Sequence, residues 1–266
     1  MAPIIRDVPV WARALAALAT LRVAAALVLY LSGLTTVASQ TAIHPAVYAW
    51  LALTFGALGL ALLTANRNDI RAAWLGGVLL LIAVPLTSAV MPTQANPALA
   101  WMGRLRPDAF LGAFLWRLAV ELPAPPSASL RRAGAWVAAG SALLGAVAFA
   151  TNLSLIWSPL AADTDWRARL ATGVTTGGWY WPIVLLPSAG AFVSMLVRML
   201  RSQGDDRARS TVFICGLVAG ILPFFLEVLA EETWAPYKSW AHSPAVEPVM
   251  GAALFGALGI VPFVTA

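Results

Sequence analysis

The chain has 266 residues, of which 60% are hydrophobic and only 11% are charged, and its mean hydropathy is +0.79. Because an average soluble domain carries roughly 25% charged residues, this composition excludes an ordinary water-soluble globule. The net charge is +5, and Lys238 is the only lysine among 17 basic residues. The arginines are dispersed along the chain and form no single basic patch, so no nucleic-acid partner is expected.

Long apolar runs separated by short polar or Pro/Gly-rich breaks follow one another along the chain. Since a membrane-spanning helix needs about 20 mostly apolar residues, the runs predict helices over residues 15–37, 46–65, 72–91, 107–122, 132–152, 178–199, 211–230 and 248–266. The fourth run is short, and the alternative there is a tilted or half-buried helix that begins near Pro97. The predicted fold class is all-α: a polytopic membrane helix bundle of about eight transmembrane helices, in a single domain over residues 1–266.

The basic residues favour one orientation of this bundle, because cytoplasmic loops are enriched in Lys and Arg. With the N-terminus in the cytoplasm, ten basic residues fall on the inner side and five on the outer side. The inner set is Arg6, Arg13, Arg67, Arg71, Arg131, Arg132, Arg198, Arg201, Arg207 and Arg209, and the outer set is Arg104, Arg106, Arg167, Arg169 and Lys238. We therefore expect a cytoplasmic N-terminus.

Arg117 and Glu121 are the first candidate functional residues. They stand four positions apart in the fourth helix and therefore share one helical face. An isolated charge in hydrocarbon is costly, so one interpretation is a polar anchor that faces the bundle interior. The alternative is that Arg117 reaches the cytoplasmic interface while Glu121 already lies in water.

Arg22 and Glu227 are the other charged candidates within predicted spans. Arg22 lies deeper than Arg13 in the first helix, and Glu227 follows Pro223 in the seventh. An intramembrane acid is a functional-site hypothesis by default, and the alternative for Glu227 is an interfacial residue close to the helix end. Together with Pro223, these residues are candidates for coupling a ligand or signal to helix position.

The sequence offers little for catalysis or metal binding. His44 and His242 are predicted in outer loops and lack metal-ligand spacing, and Cys215 is the only cysteine. Phosphate-binding, dinucleotide-binding and serine-hydrolase motifs are absent from the sequence. We therefore expect no metal, no cofactor and no enzymatic activity in this chain.

Three stretches resemble the multi-helix membrane sensor regions of bacterial signalling proteins, of the ComP-like histidine kinase type and its GAF and phosphatase relatives. Residues 114–123 (FLWRLAVELP) are similar to a helix of the pattern "aFlxrFaxxFP", with Leu122 where Phe is usual. Residues 207–226 (RARSTVFICGLVAGILPFFL) resemble the basic loop and helix "RxRxxxxxxGlxxGxxPFxL" of those proteins. Residues 258–266 (LGIVPFVTA) look like the first half of their final helix.

The resemblance implies a sensory and anchoring region in the bacterial inner membrane, cut before the cytoplasmic output domain that would receive its signal. Its expected partners are membrane lipids, a small hydrophobic or peptide signal, and a second copy in a homodimer. No phospho-acceptor histidine setting or ATP-binding segment is present, so kinase activity is not expected of this chain.

Two other functions stay open. A small transporter or channel would need Arg22, Arg117 and Glu227 to meet in one water-accessible cavity. A membrane enzyme acting on lipid-linked substrates would need titratable groups to converge at one leaflet, and the outer acids with His242 are the only candidates for that role.

Overall fold

The computed structural model describes residues 8–33, 44–65, 69–91, 97–123, 127–158, 166–171, 178–203 and 205–265. The regular structure within these ranges is entirely helical. The helices are α1 (Val10–Leu31), α2 (Pro45–Ala65), α3 (Ile70–Thr87), α4 (Pro97–Arg104), α5 (Leu111–Glu121), α6 (Ala128–Ser154), α7 (Trp166–Leu170), α8 (Tyr180–Arg201), α9 (Asp205–Thr233), α10 (Ala235–Ala241) and α11 (Glu247–Thr265). A 3-10 turn over Pro107–Phe110 leads directly into α5.

Seven helices of the described chain are long and apolar enough to cross a membrane. They are α1, α2, α3, α6, α8, the Thr211–Thr233 part of α9, and α11. The predicted all-α fold is confirmed for the described ranges, and these helices indicate a multi-pass membrane protein.

The predicted fourth span over residues 107–122 differs from the other seven. It consists of a four-residue 3-10 turn and the 11-residue α5, fewer than the roughly 17 residues that the shortest spanning helices need. A separate eight-residue helix, α4, covers Pro97–Arg104 and ends before the 3-10 turn, so the region is not one helix that begins near Pro97. Eight complete spans are therefore not confirmed.

Capping residues explain why two helices begin earlier than their apolar patterns predict. The Asp69 carboxylate accepts hydrogen bonds from the backbone N–H groups of Arg71 (2.8 Å) and Ala72 (3.4 Å), so α3 begins at Ile70. The Ser127 hydroxyl accepts from the N–H of Leu130 at 3.3 Å, and α6 begins in the polar stretch that follows it. These side chains satisfy N–H groups that have no partner within the helix.

Helices α3 and α5 form the centre of the bundle. In the most apolar 18-residue stretch of α3, 78% of the residues are buried, whereas the corresponding figure for α1 is 28%. The core contains Leu79, Leu80 and Leu81 from α3 and Phe114 and Leu118 from α5. Helix α5 packs against α3, α6 and α8. The short fourth segment is thus enclosed by longer helices.

One end of the helix bundle is rich in arginine. Helices α1, α3 and α6 begin, and α5 ends, around one cavity that Pro9, Ile70, Glu121 and Arg131 line. We call this the Arg-rich end because Arg13, Arg71, Arg117, Arg131 and Arg198 belong to it. At the opposite end, α3 finishes and α8 begins.

Candidate functional site

Arg22 occupies a fully buried position in α1, with 1% of its surface exposed. Its Nε donates a hydrogen bond to the Thr87 hydroxyl (3.3 Å) and its Nη2 donates to the Ser88 hydroxyl (3.1 Å), both at the C-terminal end of α3. Its Nη1 donates to the carbonyl oxygen of Leu105. A single guanidinium therefore ties the middle of α1 to the end of α3 and to the segment before the 3-10 turn.

Arg106 and Asp108 form an ion pair beside Arg22. The Nη2 and Oδ2 atoms are 2.6 Å apart, and only 5% and 1% of the two side chains is exposed. The Tyr180 hydroxyl donates to Asp108 Oδ2 at 3.0 Å and accepts from Arg106 Nε at 3.4 Å. Arg106 Nη1 donates to the same Ser88 hydroxyl that Arg22 contacts, at 3.2 Å. The resulting buried polar network comprises Arg22, Thr87, Ser88, Arg106, Asp108 and Tyr180.

This network carries an excess of positive charge, since two guanidinium groups face one carboxylate. Burial by itself lowers the pKa of Arg106, but the neighbouring Asp108 carboxylate and Tyr180 outweigh it and hold that pKa well above its ordinary value. Asp108 Oδ1 is buried and has no hydrogen-bond partner among the described residues. The network thus contains one buried acceptor, Asp108 Oδ1, without a partner among the described residues, and Arg106 stays charged.

Arg117 and Glu121 lie at the Arg-rich end and line one cavity of about 300 Å³. Arg131, from α6, lines the same cavity. The Nε atoms of Arg117 and Arg131 are buried and have no hydrogen-bond partner within the described chain. Arg198 of α8 donates to the carbonyl oxygens of Ala119 and Val120, which satisfies acceptors that the end of α5 leaves free.

Glu227 lies on the far half of α9, four residues beyond the exposed Pro223, and α9 continues as a helix across that proline. It accepts a hydrogen bond from the hydroxyl of Tyr237 in α10. Burial, and then the hydrogen bond to Glu227, raise the pKa of Tyr237 to about 12. Pro223 does not take part in the contact between Glu227 and Tyr237. Its predicted role in coupling a signal to helix position therefore depends on how the proline shapes α9.

His242 extends this arrangement at the opposite end. Its Nε2 lies 3.3 Å from Glu231 Oε1 and its Nδ1 lies 3.9 Å from Glu247 Oε1. We call Glu227, Glu231, Tyr237, His242 and Glu247 the α9–α11 polar cluster, because it joins the end of α9 to the start of α11. Within the described ranges, no group of three or more His, Cys, Asp or Glu side chains is arranged to hold a metal ion.

Two glycines bring the other half of α9 into close contact with α11. A Cβ atom at Gly220 would lie 2.3 Å from Val261 Cγ2 and 2.9 Å from the carbonyl oxygen of Ala257. A Cβ at Gly216 would lie 2.6 Å from both methyl carbons of Val264. Small residues of this kind let membrane helices approach closely.

The residues singled out from the sequence therefore occupy three separate places. Arg22 belongs to the buried polar network, Arg117 and Glu121 line the cavity at the Arg-rich end, and Glu227 belongs to the α9–α11 polar cluster. Arg22, Arg117 and Glu227 share none of the described cavities, and the transporter alternative stays a prediction.

Sequence reasoning placed Arg106 on the outer side and selected neither Asp108 nor Tyr180 as a candidate. Arg106 and Asp108 are instead buried, because Tyr180, 72 residues further along the chain, supplies their third partner. The only local signal was a pair of opposite charges on either side of Pro107 in an otherwise weakly charged chain.

Comparisons of this chain with protein-family models, with curated proteins and with solved structures found no match. The resemblance to ComP-like sensor regions accordingly stays a prediction.

Proposed function

We propose that the chain is the membrane-embedded sensory and anchoring region of a bacterial signal-transduction protein. In this proposal the N-terminus and the Arg-rich end face the cytoplasm, α5 is the eighth membrane-embedded helix, and the membrane is the inner membrane. The observation that carries the proposal is the close contact of α9 with α11 at Gly216 and Gly220. A cytoplasmic output domain would follow α11.

In this proposal, the stimulus acts on the α9–α11 polar cluster. Helix α9 runs without interruption from Glu227 back to Gly216, a distance of about 16 Å at 1.5 Å per residue. A stimulus that changes the contacts of Glu227 or Glu231 would move α9, and the glycine contacts would pass that movement to α11. Such a stimulus acts only if it binds two helix arrangements with different affinity.

A cavity between α2 and α11 offers a place for a small hydrophobic stimulus. It has a volume of about 370 Å³ and is lined by apolar residues that include Trp50, Leu51, Pro248 and Phe255. Volumes of roughly 300–1,000 Å³ are typical of small-molecule pockets. Because the cavity borders the first turns of α11, an occupant would bias the position of that helix directly.

The buried polar network supplies the anchoring part of the function. It joins α1, α3, α8 and the 3-10 turn through hydrogen bonds to charged groups, which are stronger than those between neutral groups. These elements would remain fixed while α9 and α11 move, since a movement of α11 carries a signal only relative to a stationary body.

The test is reporter output from the full-length gene product in cells, under conditions that activate it. We expect Glu227→Gln and Pro223→Ala to lose most of the response while membrane expression stays normal. Glu232→Gln is the matched control, because it removes a carboxylate from the same helix outside the Tyr237 hydrogen bond. A full response in both test variants, or a gene product without an output domain, would refute the proposal.

A further inference from the structure

We infer that the cavity at the Arg-rich end binds a phosphate-bearing anion. It lies between α1, α3, α5 and α6 and is lined by Pro9, Ile70, Trp74, Arg117, Glu121 and Arg131. The anion site does not depend on the proposed signalling role, because it concerns a different cavity and a different set of residues; the choice of a lipid headgroup rests on the proposed cytoplasmic orientation of the Arg-rich end.

The two arginines are the first reason. Arg117 and Arg131 bring two positive charges to the cavity, against the one negative charge of Glu121. Their Nε atoms are buried without an acceptor among the described residues, which is costly for a group that carries charge. An anion in the cavity would offset that cost through its charge and would accept hydrogen bonds from the remaining guanidinium N–H groups.

The ends of the surrounding helices are an independent second reason. Helices α1, α3 and α6 all begin at this cavity, and the start of a helix carries a partial positive charge. Asp69 caps α3 and Ser127 caps α6, so α1 is the helix whose first N–H groups lack a side-chain cap. Pro9, at the start of α1, makes no side-chain capping hydrogen bond. The cavity thus combines two guanidinium groups with one helix start that no side chain caps, and both features favour negative charge.

The rest of the lining indicates the kind of molecule that carries the phosphate. Ile70, Trp74 and Val120 supply an apolar wall beside the arginines. The volume of about 300 Å³ is small for a drug-sized ligand, at the lower limit of ordinary ligand pockets. An anionic phospholipid headgroup fits this combination, because basic pockets between helices on the cytoplasmic side bind such headgroups. Inorganic phosphate shares the chemistry and is the second source to test.

The experiment measures binding of a fluorescent phosphatidylglycerol analogue to the purified chain in neutral detergent, with unlabelled phosphatidylglycerol, phosphatidylcholine or inorganic phosphate as competitors. Arg131→Gln and Arg132→Gln form a matched pair, since these neighbours lose the same charge, but Arg131 lines the cavity and Arg132 is exposed. We expect Arg131→Gln to raise the Kd about tenfold, as for a lost charge-assisted hydrogen bond. We expect Arg132→Gln to leave it within about twofold, as for an exposed charge.

Each outcome decides the inference. Competition by phosphatidylglycerol alone identifies the lipid as the source, and competition by millimolar inorganic phosphate identifies the free anion. Equal Kd values for Arg131→Gln and Arg132→Gln overturn the site. If Arg131→Gln fails to fold, Arg131→Lys retains the charge, and the wild-type chain still decides: equal competition by phosphatidylcholine and phosphatidylglycerol would refute an anion site.

Discussion

The carboxylate of Asp108 lies 2.6 Å from the guanidinium of Arg106, and only 1% and 5% of the two side chains is exposed. Forming such a buried pair stabilises the fold little, but breaking it is costly. Taking both charges out of water costs about as much as their attraction returns, whereas removing one partner leaves the other charge buried and unpaired. Because Arg22 shares Ser88 with Arg106, removal of the carboxylate would leave two neighbouring cations without a compensating charge.

We therefore expect Asp108→Asn to destabilise the protein by about 3–5 kcal/mol, the range for breaking a buried pair. Denaturant unfolding in detergent micelles, followed by tryptophan fluorescence, measures the free energy of unfolding. The reason is electrostatic, because Asn preserves the size of the side chain but carries no negative charge.

Asp69→Asn is the matched control for that measurement. Asp69 caps α3 by accepting from backbone N–H groups, a role in which Asn and Asp are about equally good. We expect a change below about 1 kcal/mol, within the range of an ordinary cap substitution. Equal losses of unfolding free energy in Asp69→Asn and Asp108→Asn would show that breaking the buried ion pair costs no more than replacing a helix cap.

Tyr180→Phe tests the third member of the ion pair. The hydroxyl of Tyr180 donates to Asp108 and accepts from Arg106, and both bonds involve charged groups. We expect a loss of about 2 kcal/mol in the free energy of unfolding, as is typical of a hydrogen bond to a charge. Tyr30→Phe removes a hydroxyl outside the network and serves as the control. A smaller loss for Tyr180 than for Tyr30 would contradict this role.

The helices could be predicted from the sequence because their signal is local. An apolar run of sufficient length can satisfy its backbone hydrogen bonds in a membrane only as a helix or a closed barrel, so seven of the predicted runs correspond to helices long enough to span. The predicted helix starts were less accurate, because Asp69 and Ser127 act as N-caps and let α3 and α6 begin within polar sequence. The short α5 was the hardest case, because its burial depends on the longer helices around it.

The candidate sites could be predicted only in part, for a physical reason. Arg22 is recognisable because a charge in an apolar run must find a partner, but nothing in the sequence says that the partners are Thr87, Ser88 and Leu105. Likewise, helical spacing placed Arg117 and Glu121 together, whereas Arg131 reaches their cavity from another helix. Tertiary contacts between distant residues leave no trace in the local spacing of one sequence.

Gly220→Ala tests the contact that joins α9 to α11. The new Cβ would lie 2.3 Å from Val261 Cγ2 and 2.9 Å from a backbone oxygen, so the helices must separate. Overpacking of this kind costs about 1–3 kcal/mol, measurable as a lower free energy of unfolding. The control is Gly256→Ala on α11, where a Cβ meets nothing within 4 Å. There we expect no loss, since Ala favours the helix by about 0.5–1 kcal/mol; a loss as large as that at Gly220 would contradict the close contact.

The hydrogen bond between Tyr237 and Glu227 predicts a pH dependence. Burial, followed by this bond, raises the pKa of Tyr237 to about 12, against about 10 in an unfolded chain. The folded state therefore favours the protonated phenol, and the associated stability is complete below pH 10 and is lost as the pH rises towards 12. The ultraviolet absorbance of tyrosinate, as the difference between the wild type and Tyr237→Phe, gives the midpoint.

Glu227→Gln tests the contribution of Glu227 to that raised pKa. Removing the negative charge should lower the pKa of Tyr237, because a nearby anion opposes ionisation of the phenol. The midpoint should stay above the ordinary value, since burial, the largest single cause, and the nearby Glu231 both remain. Glu232→Gln is the control, because the raised pKa of Tyr237 arises from burial, Glu227 and Glu231. If Glu227→Gln and Glu232→Gln titrate at the same midpoint, the hydrogen bond to Glu227 does not control the ionisation of Tyr237.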